Sequence, residues 1–322
     1  MSTEPRHVPV LLEEVLHFLD PARGGCFVDC TLGLGGHARA LLERFPDTHL
    51  VGLDRDSEAL AVAAERLSSF GSRVQLVEGR FGDVAERLEA LGIGRVSGVL
   101  ADLGVSSLQL DRAGRGFSFA HEGPLDMRMG AADRTAADVV NGYPEDALSK
   151  ILKTYGEEPQ ARRIARAIVE ERRGQPFETT AQLAELIERT KRPIRHRGGR
   201  GKRSWSSDRS RRIHPATQVF QALRIEVNQE IQELEQFLDQ SVEMLEQEGR
   251  LVVISYHSLE DRPVKHHLRR LAEGEIEPVT GQPRAETQIL EVLTRKPVRP
   301  TEAEIEANPR SRSARLRAGK RL

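Results

Sequence analysis

The sequence predicts an α/β fold built on a mostly parallel sheet and interrupted by a helical insertion, and three observations carry that prediction. Short apolar runs alternate with helical patterns through the first hundred residues, the alternation stops between residues 106 and 213, and it resumes with a further apolar run, RLVVISY, before the chain ends.

Taken in order, the first runs are CFVDC (26–30), LVGLD (50–54), VQLVEG (74–79) and VSGVLADLG (96–104). Each is continuously apolar rather than alternating, as expected of strands covered on both faces and hence of a parallel sheet. Between them, residues 37–45 and 58–70 space Ala, Leu, Glu and Arg helically, and Asp56 or Ser57 is placed to cap the second segment. After residue 104 a stretch rich in Gly, Ser and Asp leads into helical segments at 144–155, 157–173 and 179–190 with no strand pattern. A long helix over 214–248, a strand at 250–256, a helix from 260 and late strands at 289–294 and 314–317 complete the expectation. The predicted division is a core of residues 1–105 and 214–322 around an inserted helical domain, 106–213, whose basic loop spans 191–212.

Composition narrows the function. The 322 residues carry a net charge of −1, which by itself points to no polyanionic partner. The distribution does: from Lys191 to Arg212 ten Lys and Arg residues face one acid, Asp208, and a second basic cluster (Arg310, Arg312, Arg315, Arg317, Lys320, Arg321) closes the chain. Both clusters read as mobile segments suited to phosphates. No run of about 18 apolar residues occurs and the N-terminus has no leader pattern, so a soluble cytoplasmic protein with no membrane partner is expected. Cys26 and Cys30, four apart on one strand and about 13 Å from each other, cannot form a disulfide. No further Cys or His at ligand spacing stands near them, so no metal site is expected.

The segment VDCTLGLGGHARALL reads as strand, glycine turn (Gly33, Gly35, Gly36) and helix from His37. Glycines let a ligand approach the backbone, and a helix N-terminus offers free amides to an anionic group. Gly33, Gly35 and Ala38 also satisfy the dinucleotide pattern, so NAD stays open at this step. Asp54 ends the second strand where an acid accepts from a ribose diol, which NAD and S-adenosylmethionine both carry; the plainer reading pairs it with Arg55. Phe81 follows the third strand, as core or against an adenine ring. Asp102 ends the fourth strand, facing the same crevice as the glycine turn if the switch-point rule holds.

In order along the chain stand HVPVLLEEVL, TLGLGGH, GLDRD, LADLGVSS, RGFSF, GPLDMRM, TAADVVN, YGEE, HPAT, FQALRIEVN, ISYHSLEDR and NPRSRSARLR. With these motifs, running from residue 7 to about 317, the chain resembles the bacterial MraW family of small-subunit ribosomal RNA methyltransferases. The resemblance implies a class I S-adenosylmethionine methyltransferase fold with a helical substrate domain inserted after the fourth strand. It further implies methylation of a cytosine N4 in the decoding region of 16S rRNA, with the assembled small subunit as substrate. Carried over, the cofactor contacts fall on Gly35, Gly36, His37, Asp54, Phe81, Asp102 and Gln109. Read alone, His37 is a solvated histidine at a helix start. Leu108 stands where the family commonly has proline, and Tyr256 where it commonly has phenylalanine.

A cytosine amine is a poor nucleophile because its lone pair is conjugated into the ring, so acceptors must draw on its protons. The loop 102–107 is the expected place for them, with Asp102 either accepting from the amine or holding the cofactor. His257 is a second catalytic candidate, with Ser258, Glu260 and Asp261 beside it; the plainer reading is a capped helix start. Phe117 and Phe119 are candidates to stack on an unstacked base, or ordinary core. Arg197, Arg200, Lys202 and Arg203 are candidate RNA phosphate contacts, or part of a solvated insert. An NAD-dependent dehydrogenase and a catalytically silent RNA-binding protein are the competing readings; the first leaves the insertion and basic loop without purpose, the second leaves the crevice without one.

Overall fold

The apolar runs of the first hundred residues form the parallel strands the pattern predicts. Helix α1 (Leu12–Leu19) precedes β1 (Gly25–Asp29); then α2 (Gly36–Arg44), β2 (Thr48–Asp54), α3 (Ser57–Leu67), β3 (Val74–Glu78), α4 (Val84–Ala90) and β4 (Val96–Asp102) follow. Asp56 caps α3 by accepting from the Glu58 amide. The computed structural model describes residues 9–119, 122–130, 132–191, 214–275, 277 and 284–322, and they form two compact units: the chain up to Ser106 with Ile231–Leu322, and Ser107–Glu230. Among the described residues no helix is long and apolar enough to cross a membrane.

The second unit is helical, with α5 (Ser107–Asp111), α6 (Ala136–Gly142), α7 (Glu145–Thr154), α8 (Ala161–Glu171), α9 (Thr180–Lys191) and α10 (Thr217–Asn228). Thr135 and Asp138 form a reciprocal capping box at the start of α6. Leu148, Leu152, Ile164, Ile168, Leu183, Ile187, Val219 and Leu223 are buried in this unit. The expected helix over 214–248 is therefore corrected: it breaks after α10, and its first part belongs to the second unit, not to the core from residue 214. Buried Asn228 explains the stop, since its side chain donates to the carbonyls of Met127 and Arg224 and accepts from the Met129 amide. Gln229 then turns left-handed (φ 53°), and the Arg224 guanidinium clasps Glu230 across the break at 2.8 and 2.7 Å.

The chain returns through α11 (Glu230–Ser241), β5 (Leu245–Ser255), α12 (Ser258–Glu273), β6 (Leu290–Val292), α13 (Glu302–Ala307) and β7 (Arg315–Arg321). The sheet order is β3-β2-β1-β4-β5-β7-β6; β1 to β5 are parallel, and β7 runs antiparallel to both its neighbours. β5 begins five residues earlier than the apolar run suggests because Leu245–Gly249 form an irregular step, with Val96 opposite Leu245 and Gly98 opposite Arg250. The apolar runs divide by residue parity. Val28, Val51, Leu53, Val99, Ala101, Leu251 and Val253 pack with Leu234, Phe237 and Leu268 on one face, while Phe27, Leu50, Leu100, Val252 and Ile254 pack with Leu16, Leu41 and Leu67 on the other.

The basic cluster that closes the chain was expected to be mobile, and this too is corrected. Its residues from Arg315 on lie in β7 and are engaged within the unit. Arg317 is buried and clasps Asp261 at 2.6 and 3.1 Å, with Arg315 3.8 Å from the same carboxylate. Arg321 donates to the carbonyls of Val242, Glu243 and Leu245, and Lys320 pairs with Glu248 and Glu291. Removing one partner strands a buried guanidinium, so Asp261→Ala is expected to lower the unfolding free energy by about 3 kcal/mol. The double variant Asp261→Leu/Arg317→Met is expected to recover most of that loss; urea unfolding of the three proteins checks both.

Candidate functional site

Strand parity assembles the site. The chain passes from β1 outward to β2 and β3, then returns to β4 on the other side of β1, so the crevice outside the carboxyl ends of β1 and β4 is the switch point. Asp29 pairs in register with Gly52 and Leu100, and Leu100 with Val252. Steps of two from these positions reach Thr31, Asp54, Asp102, Ile254 and then Tyr256. The side chains of Asp29, Asp54, Asp102 and Tyr256 thus belong to one face of the sheet, the face that carries α1, α2 and α3.

The glycine turn is latched to these acids. The Gly33 amide donates to Asp54 Oδ2 at 2.7 Å and the Asp56 amide to Asp54 Oδ1 at 2.9 Å. Gly35, at φ 76°, caps α2 in a conformation that side chains disfavour, and its amide closes the turn on the Leu32 carbonyl. The first intrahelical bond is from the Arg39 amide to the Gly35 carbonyl, so the amides of Gly36, His37 and Ala38 lie ahead of the closed ladder, at the positive end of the helix.

His37 is not solvated, as its place at a helix start suggests, but buried. Its Nε2 lies 2.9 Å from the Val10 carbonyl, which can only accept, so Nε2 carries the proton and Nδ1 is left as an acceptor. Burial holds the ring below its ordinary pKa, hence neutral, and Nδ1 stands 4.0 Å from Asp102 Oδ2.

The Asp102 amide donates to Thr31 Oγ1 at 2.6 Å, and the Tyr256 hydroxyl donates to Asp102 Oδ1 at 2.8 Å. Burial pushes Asp102 up to about 7, against the lowering effect of the Tyr256 hydrogen bond. Burial likewise raises Asp29 to about 7 and raises Asp54, while the Thr31 amide supports the Asp29 carboxylate at 3.2 Å. Three acids thus gather around one crevice, and in their ionised forms they attract a cationic ligand and repel a pyrophosphate.

Phe81 follows β3 half-buried and meets Phe237 edge-on at 5.8 Å. The loop around it is fastened to α11 by Gln240, whose amide donates to the Gly82 carbonyl and whose oxygen accepts from the Ala85 amide. After β5, Glu260 is buried and accepts from the amides of Tyr256 and His257, while His257 Nε2 lies 3.0 Å from Glu260 Oε1. His257, rather than Ser258, is therefore the cap of α12, and Asp261 is engaged by Arg317.

In the second unit Gln109 is buried on α5, and Phe117 is buried at 8% exposure, which gives it the core alternative. Phe119 stacks on His214 at 4.3 Å and meets Phe220 edge-on, while His214 Nε2 reaches Glu188 at 2.7 Å. Arg197, Arg200, Lys202 and Arg203 lie outside the described residues. Sequence reasoning missed Asp29 and the link from Tyr256 to Asp102. Counting by two from the ends of the paired runs would have found both.

Residues 4–322 match the MraW methylase family. The chain belongs to that family. Relatives at similar length bear this out: ribosomal RNA small subunit methyltransferase H of Pelobacter propionicus is 50% identical over 327 residues, covering 98% of this chain and 99% of the relative. The proteins of the same name from Geotalea uraniireducens and Thermobifida fusca are each 48% identical, covering 98% of both chains and 99% and 94%, respectively. A MraW methylase with this sheet has the class I S-adenosylmethionine methyltransferase fold. It is an enzyme, and the dehydrogenase and silent-binder readings fall away.

Proposed function

We propose that this protein transfers the methyl group of S-adenosylmethionine to the N4 amine of a cytosine in the decoding region of 16S rRNA, with the assembled small subunit in the cytoplasm as substrate. The observation that carries the reading is the acid-lined crevice at the β1/β4 switch point, closed on one side by the N-terminus of α2. When bound, the cofactor supplies a methyl group made electrophilic by its sulfonium. The residues present suit it: Asp54 keeps lone pairs for a ribose diol, the leading amides of α2 suit a carboxylate, and Phe81 is placed for an adenine. Gln109 is assigned to the cofactor by the resemblance alone.

Asp102 is the group we assign to the substrate amine. As a carboxylate it accepts from an amine N–H, drawing electron density toward nitrogen as the new bond forms, and it stabilises the positive charge that develops there. The ring of His37, neutral and with Nδ1 on the Asp102 side, adds an acceptor and no competing charge. His257 is better placed to fix the start of α12 than to touch substrate.

The test is to incubate the protein and methyl-labelled S-adenosylmethionine with small subunits that lack the modification, then identify the labelled nucleoside by mass. Label in N4-methylcytidine is expected; label in another nucleoside overturns the substrate. The basic segment has its own expectation. Replacing Arg197, Arg200, Lys202 and Arg203 with Gln should weaken rRNA binding, and the log–log salt slope should become shallower by about 3, with cofactor affinity unchanged. Equal slopes for the two proteins would remove that segment from the interface.

A further inference from the structure

Tyr256 is fixed at both ends. Its amide donates to Glu260 Oε2 at 2.8 Å and its hydroxyl to Asp102 Oδ1 at 2.8 Å. Its ring lies along the backbone of Gly104, where φ is +104° and a Cβ would come within 3.4 Å of the ring. Burial first, then the charges of Asp102, Glu260 and Glu304, push the phenol far above its ordinary range, so the hydroxyl stays protonated and remains a donor.

The other groups around Asp102 do not donate to its carboxylate. From β1 come Asp29, a second acid, and past its end Thr31, which takes the Asp102 amide. From α2 comes His37, whose proton is on Nε2 and directed to Val10, and from α12 comes Glu260, whose charge opposes ionisation of Asp102. Among the described residues the Tyr256 hydroxyl is the one side-chain donor within hydrogen-bond distance of that carboxylate.

We infer that Tyr256 is a positioning residue, which holds Asp102 ionised and in one rotamer by engaging Oδ1, leaving Oδ2 on the His37 side as the oxygen that receives the substrate amine. The inference rests on the role proposed for Asp102. A hydrogen bond to the ionised form of a carboxyl favours that form, so its loss raises the pH at which the carboxyl gives up its proton.

The experiment compares wild type, Tyr256→Phe and Asp102→Asn. In cofactor-free protein labelled with 13C at the aspartate carboxyl, the Asp102 resonance is identified by its absence in Asp102→Asn and titrated. The midpoint is expected to rise by about one pH unit in Tyr256→Phe. In single-turnover methyl transfer the acid limb of the rate profile should move up by the same amount. The rate should then be about fivefold lower at about pH 7, approach about tenfold lower below about pH 6, recover at high pH, and show KM for S-adenosylmethionine within about twofold of wild type. An unmoved midpoint, or a loss of rate equal at every pH, overturns the role of Tyr256. A moved midpoint together with undiminished activity of Asp102→Asn overturns the reading of Asp102 instead, and with it the catalytic meaning of the hydrogen bond.

Discussion

Asp102→Asn is expected to lower the single-turnover rate of methyl transfer by about a thousandfold, within the range for loss of a positioned acid–base group. The substitution keeps size and shape, so strand β4 and the crevice should persist; what goes is the anion. An amide cannot offset positive charge on the cytosine nitrogen or take its proton. The pH dependence follows from burial, which sets Asp102 at about 7. Below that pH the carboxyl is protonated and no longer an anion, so the wild-type rate should fall as pH drops through this region. The residual rate of Asp102→Asn should lack that limb. Cofactor affinity, measured by equilibrium dialysis, separates the two roles open for this acid: affinity within a few-fold of wild type supports the amine, whereas loss of binding with an intact maximal rate assigns Asp102 to the cofactor.

Asp54→Ala is expected to weaken S-adenosylmethionine binding about a hundredfold. Two effects add. The ribose diol loses its acceptor, and the glycine turn loses the bond from the Gly33 amide to Asp54 Oδ2 that sets its position. A hydrogen bond to a charged group contributes about 1.5–3 kcal/mol, so loss of the diol bond with a smaller cost for the loosened turn comes to about 2.7 kcal/mol, a hundredfold change in affinity. Asp54→Asn retains a carbonyl acceptor and should fall between the two. Isothermal titration with S-adenosylhomocysteine reads both; an affinity unchanged in the alanine variant would remove Asp54 from the cofactor site.

The parallel part of the sheet was legible because its strands are short apolar runs between turn signals, and the glycine turn before α2 was legible because a left-handed cap such as Gly35 calls for glycine. Asp29 was hidden for the opposite reason: inside CFVDC it reads as one polar residue in a strand, and only pairing with β2 and β4 shows that it stands beside two other acids. The break at Gln229 left no signal either, since a left-handed glutamine has no local signature and the apolar period runs on through it. It is set by the bonds of Asn228 to residues distant in sequence. The arginines at the end of the chain misled because charge density marks a segment as solvated only when no opposite charge meets it, and Asp261 is 56 residues away from Arg317.

The position of β7 has a consequence for the order in which the sheet can assemble. The strand Arg315–Arg321 is not at the rim of the sheet but between β5 and β6, and among the described residues β6 has no other neighbour. Domains generally begin folding as the chain is made, yet here the strand that completes the sheet follows both of its neighbours in the chain. Until Arg315–Arg321 are in place, β5 presents an open edge and β6 has, among the described residues, no strand to pair with. The sheet is therefore closed by a segment made after all its neighbours, and a chain cut before Arg315 would lack the strand that joins β5 to β6.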